Sequence, residues 1–225
     1  MPKRYDDVEK LIAALTAVAK PVRRLRPPVW RTAGWVATAG AIVALSVVWH
    51  GLRDDLSEKL QDPIYVLDWI ASLATAIGAF VAAFHLSLPD RSPRWLAAAL
   101  LPAGFWIAVI GLGVLRDFTE YGGKAFEWGI SISCFRYITA MGIPLMLVML
   151  VLLRHAGQIR PIQSVLCAGL GAAALSATGL SLFHYVDASW LVLIWHGSAL
   201  MTVLGLSALG GLLLRTVTSH WAGYG

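Results

Sequence analysis

Between Arg31 and Arg53 the chain carries no charge, and it repeats this pattern five more times, at 69–89, 95–115, 137–153, 161–186 and 188–214. A helix needs roughly 17–25 apolar residues to cross the hydrocarbon core of a bilayer. In that medium every backbone N–H and C=O has to pair inside its own segment, so helix is the form these runs can take. They predict an all-α polytopic membrane protein, a bundle of six transmembrane helices. The balance of 58% hydrophobic against 14% charged residues, with a mean hydropathy of +0.69, excludes an ordinary soluble core. At 225 residues there is room for one bundle. The expected division is a cytoplasmic segment at 1–29, a membrane domain at 30–215 and a tail at 216–225. No cleavable leader is expected, because the basic N-terminal stretch contains Pro21, Pro27 and Pro28 and the run behind it is long enough to span.

Six crossings put both termini on one side, and the basic residues say which. Thirteen of the 18 Lys and Arg fall in the N-terminal segment, the second and fourth loops and the C-terminus, against five on the other side. Acids lean the opposite way, from Asp54 and Asp55 through Asp62, Asp68, Asp117 and Glu120 to Asp187. By the positive-inside rule both termini are cytoplasmic. Trp30 and Trp95 then fall near the inner boundary, and Trp49, Trp69, Trp128 and Trp190 near the outer one, as an aromatic belt requires.

This topology gathers reactive groups at the outer face. Cys134 and Arg136 open the fourth span in "SISCFRY", Arg116 and Asp117 close the third, and His184 ends the fifth. Asp187 opens the sixth span, with His196 two turns further on, and Asp68 lies at the start of the second. Ionisable groups in or beside spans are costly and are functional candidates by default, so Cys134, Arg136, His184, Asp187, His196 and Arg116 form a candidate sensor. Each also has a purely structural reading. Asp187 can cap the sixth helix, as Asp62 before Pro63 can cap the second. Arg116 and Arg136 can snorkel, or pair with Asp117 and Asp68. His196 can be a satisfied packing residue, and Cys134 a small inert hydrophobe. Against that last reading, guanidinium groups near Cys134 would raise its thiolate fraction. Cys167 sits toward the opposite surface, on the order of 15–20 Å away at 1.5 Å of rise per residue. A disulfide needs Cα atoms within about 7 Å, which disfavours a bond between the two cysteines.

The segment "DDVEKLIAALTAVAK" at 6–20 carries a second signal. Val8, Leu11, Ile12, Leu15 and Val18 follow the spacing of an amphipathic helix, with Asp6 or Asp7 as cap and Pro21 as stop. A helix this short is marginal alone in water, so its apolar stripe needs a surface. Membrane-surface helices are usually lysine-rich, whereas this first turn is acidic, which favours a groove on a soluble partner. The "PVRRLRPP" that follows is a stiff basic linker suited to lie beside anionic head groups.

Other classes can be weighed. Six histidines invite a membrane redox protein or b-type cytochrome, but they sit mostly at span ends and no motif fixes their surroundings. A small transporter would be expected to show an internal repeat, and none is visible. No catalytic signature, required cofactor or direct nucleic-acid contact is expected. Gly169, Gly171 and Ala173 allow close helix contacts within or between protomers, which leaves a homo-oligomer open.

Several stretches carry a resemblance in their order and spacing: "LIAALTAVAKPVRRLRPP", "DP" before the second span and "AAFHLSLPDRS" after it. "LRDF", "SCFR" and "HYVDASWLVLIWH" continue it toward the C-terminus. In these the chain resembles the NrsF-type negative regulators of extracytoplasmic-function sigma factors, six-span membrane anti-sigma factors with a short cytoplasmic N-terminus. The resemblance implies a non-enzymatic protein of the bacterial inner membrane, in contact with the lipid bilayer and with an extracytoplasmic-function sigma factor. It implies that the segment bearing Val8, Leu11, Ile12, Leu15 and Val18 holds that factor inactive. Release would follow heavy-metal or oxidative stress sensed at the periplasmic face. Some members are described with two functional cysteines, one matching Cys134; the other falls where this chain has His184. A two-cysteine switch is thereby replaced by a transient metal site at Cys134 and His184, or by oxidation of a single thiol.

Overall fold

The computed structural model describes residues 3–18, 25–126, 132–153, 160–185 and 188–222. Among them all regular structure is helical. A first helix, α1 (Lys3–Val18), precedes six helices long and apolar enough to cross a membrane: α2 (Pro28–His50), α4 (Pro63–Leu86), α5 (Ala97–Tyr121), α6 (Ile132–Leu153), α7 (Pro161–Leu180) and α8 (Ser189–Ala222). A single turn, α3 (Leu56–Lys59), lies between α2 and α4, and short 3-10 turns flank α5. The expected six-helix bundle is what the chain forms.

The charge-free runs locate the helices but misplace their ends, because charge bounds a run and not a helix. Arg31, Asp68, Arg116 and Arg136 all lie inside helices. Likewise α8 continues through 222, into the stretch expected to be a tail, and α1 starts three residues before the predicted cap. Helix starts follow simple chemistry. Proline occupies the first helical position of α2, α4 and α7, where no N–H is needed. Asp62 caps α4 as expected, accepting from the Ile64 N–H at 2.9 Å. Gly51 ends α2 at φ +80°, a left-handed conformation that glycine adopts without strain, and so turns the chain back over the bundle.

The centre of the bundle is α7. Most of its residues are buried, and it touches α2, α4, α6 and α8. Its sequence, rich in Gly, Ala and Ser, explains this, since apolar chains gain nothing by leaving lipid and close backbone approach supplies the packing. A Cβ on Gly171 would stand 2.6 Å from the Phe80 ring of α4. A Cβ on Gly169 would collide with Ser207 of α8, and one on Gly179 with Val43 of α2. The glycines read as close-contact positions thus serve packing within one protomer.

Candidate functional site

One end of the bundle collects the C-termini of α2, α5 and α7 and the N-termini of α4, α6 and α8. Polar contacts between distant residues tie it together. Tyr65 of α4 donates its hydroxyl to the Ser181 carbonyl at 2.8 Å. Arg116 of α5 reaches both carboxylate oxygens of Asp62, at 2.8 and 2.9 Å. Asp117 accepts from the Ser189 N–H at 2.9 Å and so satisfies an orphan donor in the first turn of α8.

Within this end is a cavity with about 90 Å³ open to the centres of water molecules, enough for a few of them. Its wall includes Cys134, His184, His196, Asp68, Arg116 and Arg53. Four of the predicted sensor residues, Cys134, His184, His196 and Arg116, therefore converge. Cys134 has no solvent exposure, and neither it nor Cys167 is in a disulfide. Asp187 lies outside the described residues.

Arg136 departs from expectation. It is exposed and is not among the cavity-lining residues. The reason is helical geometry: residues two apart on an α-helix point to opposite sides, so a helix that buries Cys134 turns Arg136 outward. The expected pairings also shift. Arg116 takes Asp62, with Asp117 further away at 3.8 Å. Asp68 accepts from the Trp106 indole N–H at 2.9 Å. Burial pushes the Asp62 carboxyl up, but the Arg116 guanidinium and the Ile64 amide outweigh it and hold the group below its ordinary value.

His184 is fixed in orientation and tautomer. Its Nδ1 accepts from the Tyr185 N–H at 3.1 Å, so the proton of the neutral ring sits on Nε2, which donates to Ser133 Oγ at 3.0 Å. The imidazole thereby staples the α7–α8 hairpin to the residue beside Cys134. His196 Nδ1 is buried without a hydrogen-bond partner among the described residues. No group of three or more His, Cys, Asp and Glu residues placed to hold a metal ion occurs among the described residues. Cys134 and His184 remain a pair of soft and borderline donors on one cavity wall.

The residue missed from the sequence is Arg53, which is 3% exposed. Its Nε and Nη2 donate to the two Asp55 oxygens at 2.6 and 2.8 Å, and its Nη1 donates to the His184 carbonyl at 3.1 Å. The run Arg53-Asp54-Asp55 reads as a solvated loop, and only the partner 131 residues away reveals its burial.

At the opposite end of the bundle, Arg31 in the first turn of α2 donates to the Leu152 carbonyl at the end of α6, at 3.1 Å. Its guanidinium lies 4.8 Å from the centre of the Phe84 ring. On α1, Val8, Leu11, Ile12, Leu15 and Val18 are all exposed, Leu15 at 63%.

The family model described as "Negative regulator of sigma F" matches residues 15–216. The chain is 26% identical over 215 residues to the anti-sigma-F factor NrsF of Caulobacter vibrioides (strain NA1000 / CB15N), covering 92% of this chain and 95% of that protein. No solved structure matches it significantly. A match over nearly the whole six-helix bundle settles the kinship: this chain belongs to the NrsF family of negative regulators of sigma F.

Proposed function

We propose that this protein is a membrane-bound anti-sigma factor that sequesters an extracytoplasmic-function sigma factor through α1 and releases it when thiol chemistry occurs at Cys134. The observation that carries the reading is the unpartnered apolar stripe of α1 on a chain whose family regulates a sigma factor. Five large side chains on one face are the anchors of a helix-in-groove contact. The thirteen-to-five bias in Lys and Arg supports a cytoplasmic location for both termini in a bacterial inner membrane, with the Cys134 cavity facing the periplasm.

The stimulus supported best is a thiophilic heavy-metal ion. Capture would need the Cys134 thiolate and a neutral imidazole. Both His184 nitrogens are engaged, so coordination requires that Ser133 or the Tyr185 amide let go. The chemistry of the site is thus tied to its packing. Helix α6 can carry the change across the bilayer: beside Cys134 it is bonded to the His184 hairpin, and its far end accepts the Arg31 guanidinium just behind the α1 linker. Moving a release equilibrium from 1:99 to 99:1 takes about 5.5 kcal/mol of preference for one state. A thiolate–metal bond is of that order, and a single hydrogen bond is not.

Co-purification tests the reading. The full chain should bring down a sigma factor from membranes, and a chain lacking residues 1–25 should not. Equal recovery with both would refute α1 as the grip.

A further inference from the structure

A buried and extensively hydrogen-bonded side chain at the Cys134 end, Arg53, is not one of the sensor candidates. Arg53 follows Gly51 out of α2 and folds back under the α7–α8 hairpin. A guanidinium this deeply buried is tolerated only when it is paired and hydrogen-bonded, and here each of its three nitrogens has an acceptor. The fork is bidentate on Asp55, and the third direction reaches the His184 carbonyl. The backbone joins in, with the Arg53 N–H donating to the Leu182 carbonyl at 3.0 Å. Two rings flank the cation: Tyr185 at 5.2 Å and Tyr65 at 5.8 Å from its central carbon. Tyr185 is held in turn, since its hydroxyl accepts from the Asp54 N–H at 2.9 Å.

These contacts link the loop after α2, the start of α4 and the hairpin between α7 and α8. The hairpin carries His184, and His184 bonds to Ser133 next to Cys134. Arg53, Tyr65, His184 and Cys134 line the same cavity, yet the thiol has no exposure. We propose that Arg53 is the positioning residue of this site: its clamp on the His184 carbonyl holds the turn directly after α7 (residues 181–185) in place, and reagents reach the Cys134 thiol only when that clamp opens. The planar fork matters more than the charge, because an ammonium can match one of these directions but not all three.

The molecule contains its own control. Cys167 is also buried, in the second turn of α7 at the other end of the bundle. Loosening of the whole fold would expose both cysteines, whereas opening of the hairpin would expose one. The test is alkylation of the purified full chain in detergent micelles by N-ethylmaleimide, with modification at each cysteine followed by peptide mass spectrometry. Arg53→Ala should speed labelling of Cys134 by at least tenfold and leave Cys167 at its original rate. Arg53→Lys should lie between, and Asp55→Asn, which keeps the clamp but weakens its support, should show a smaller rise. An unchanged Cys134 rate in Arg53→Ala, or equal acceleration at both cysteines, would overturn the proposal. If Arg53→Ala does not accumulate, Arg53→Lys decides by the same ratio. The proposal rests on Cys134 as the sensing thiol only for its consequence, that Arg53→Ala cells respond to lower cadmium doses. Faster labelling without that shift would uphold the clamp and count against the sensing role of Cys134.

Discussion

The Cys134 end of the bundle and the α1 helix are built in opposite ways. At the Cys134 end several polar groups find partners from distant parts of the chain: Arg53 with His184, Arg116 with Asp62, Asp117 with Ser189, Ser133 with His184. Along α1 the apolar side chains face outward, unburied by the rest of the protein. The first region is pre-organised and changes only if something breaks into it. The second presents an exposed apolar stripe, which the proposed sigma-factor contact would cover. On the function proposed above, the first would be a guarded trigger and the second an open grip.

The contrast breaks most visibly at the grip. Leu11→Asp or Leu15→Asp places a charge in the proposed sigma-factor contact. Anchor residues of this kind carry about 2 kcal/mol or more, so affinity should fall roughly 30-fold or further and the regulon should switch on without stress. A reporter fused to a sigma-dependent promoter reads this directly, and full repression in both variants would deny α1 its role. At the trigger the expected effect is selective. Cys134→Ser should leave basal repression intact and abolish induction by cadmium, in the same reporter strain. An undiminished cadmium response would remove Cys134 from the account.

Two further changes sharpen the packing side. Gly171→Val sets a branched side chain against Phe80 at a close crossing of α4 and α7. Overpacking costs about 1–3 kcal/mol, which for a chain of this size lowers Tm by several degrees in detergent. The smallest effect belongs to the half-exposed Arg116–Asp62 pair, worth about 1 kcal/mol or less after solvent screening. Because the Asp62 carboxyl is held below its ordinary value, its contribution is present above about pH 4 and disappears as pH falls through the lowered value. Asp62→Asn should therefore reduce Tm slightly at pH 7 and flatten its acid dependence below pH 4.

The parts of this molecule that could be read from the chain are those a solvent dictates residue by residue. Hydrocarbon demands long uncharged helices, and the six runs supplied them. The i, i+3, i+4 spacing of Val8, Leu11, Ile12 and Leu15 predicted α1, and Asp62-Pro63 predicted the start of α4. What stayed hidden depends on how helices rotate against one another. Nothing in Arg53-Asp54-Asp55 announces a buried clamp, and nothing in Asp117 announces that it bonds the first turn of α8. Arg136 is an intermediate case: its position two residues from Cys134 already implies the opposite face, so helical geometry alone separates it from the thiol. The clustering of Cys134, His184, His196 and Arg116 was visible from topology, but the hydrogen bonds that commit both nitrogens of His184 were not.

The central claim is that chemistry at Cys134 loosens a hold exerted by α1 on the other side of the membrane. Its most direct test is sigma-factor retention on sealed vesicles, with the α1 side outward and cadmium supplied only to the lumen. The account predicts that wild-type vesicles shed their bound sigma factor while Cys134→Ser vesicles keep theirs. Retention by both, or loss from both alike, would contradict it.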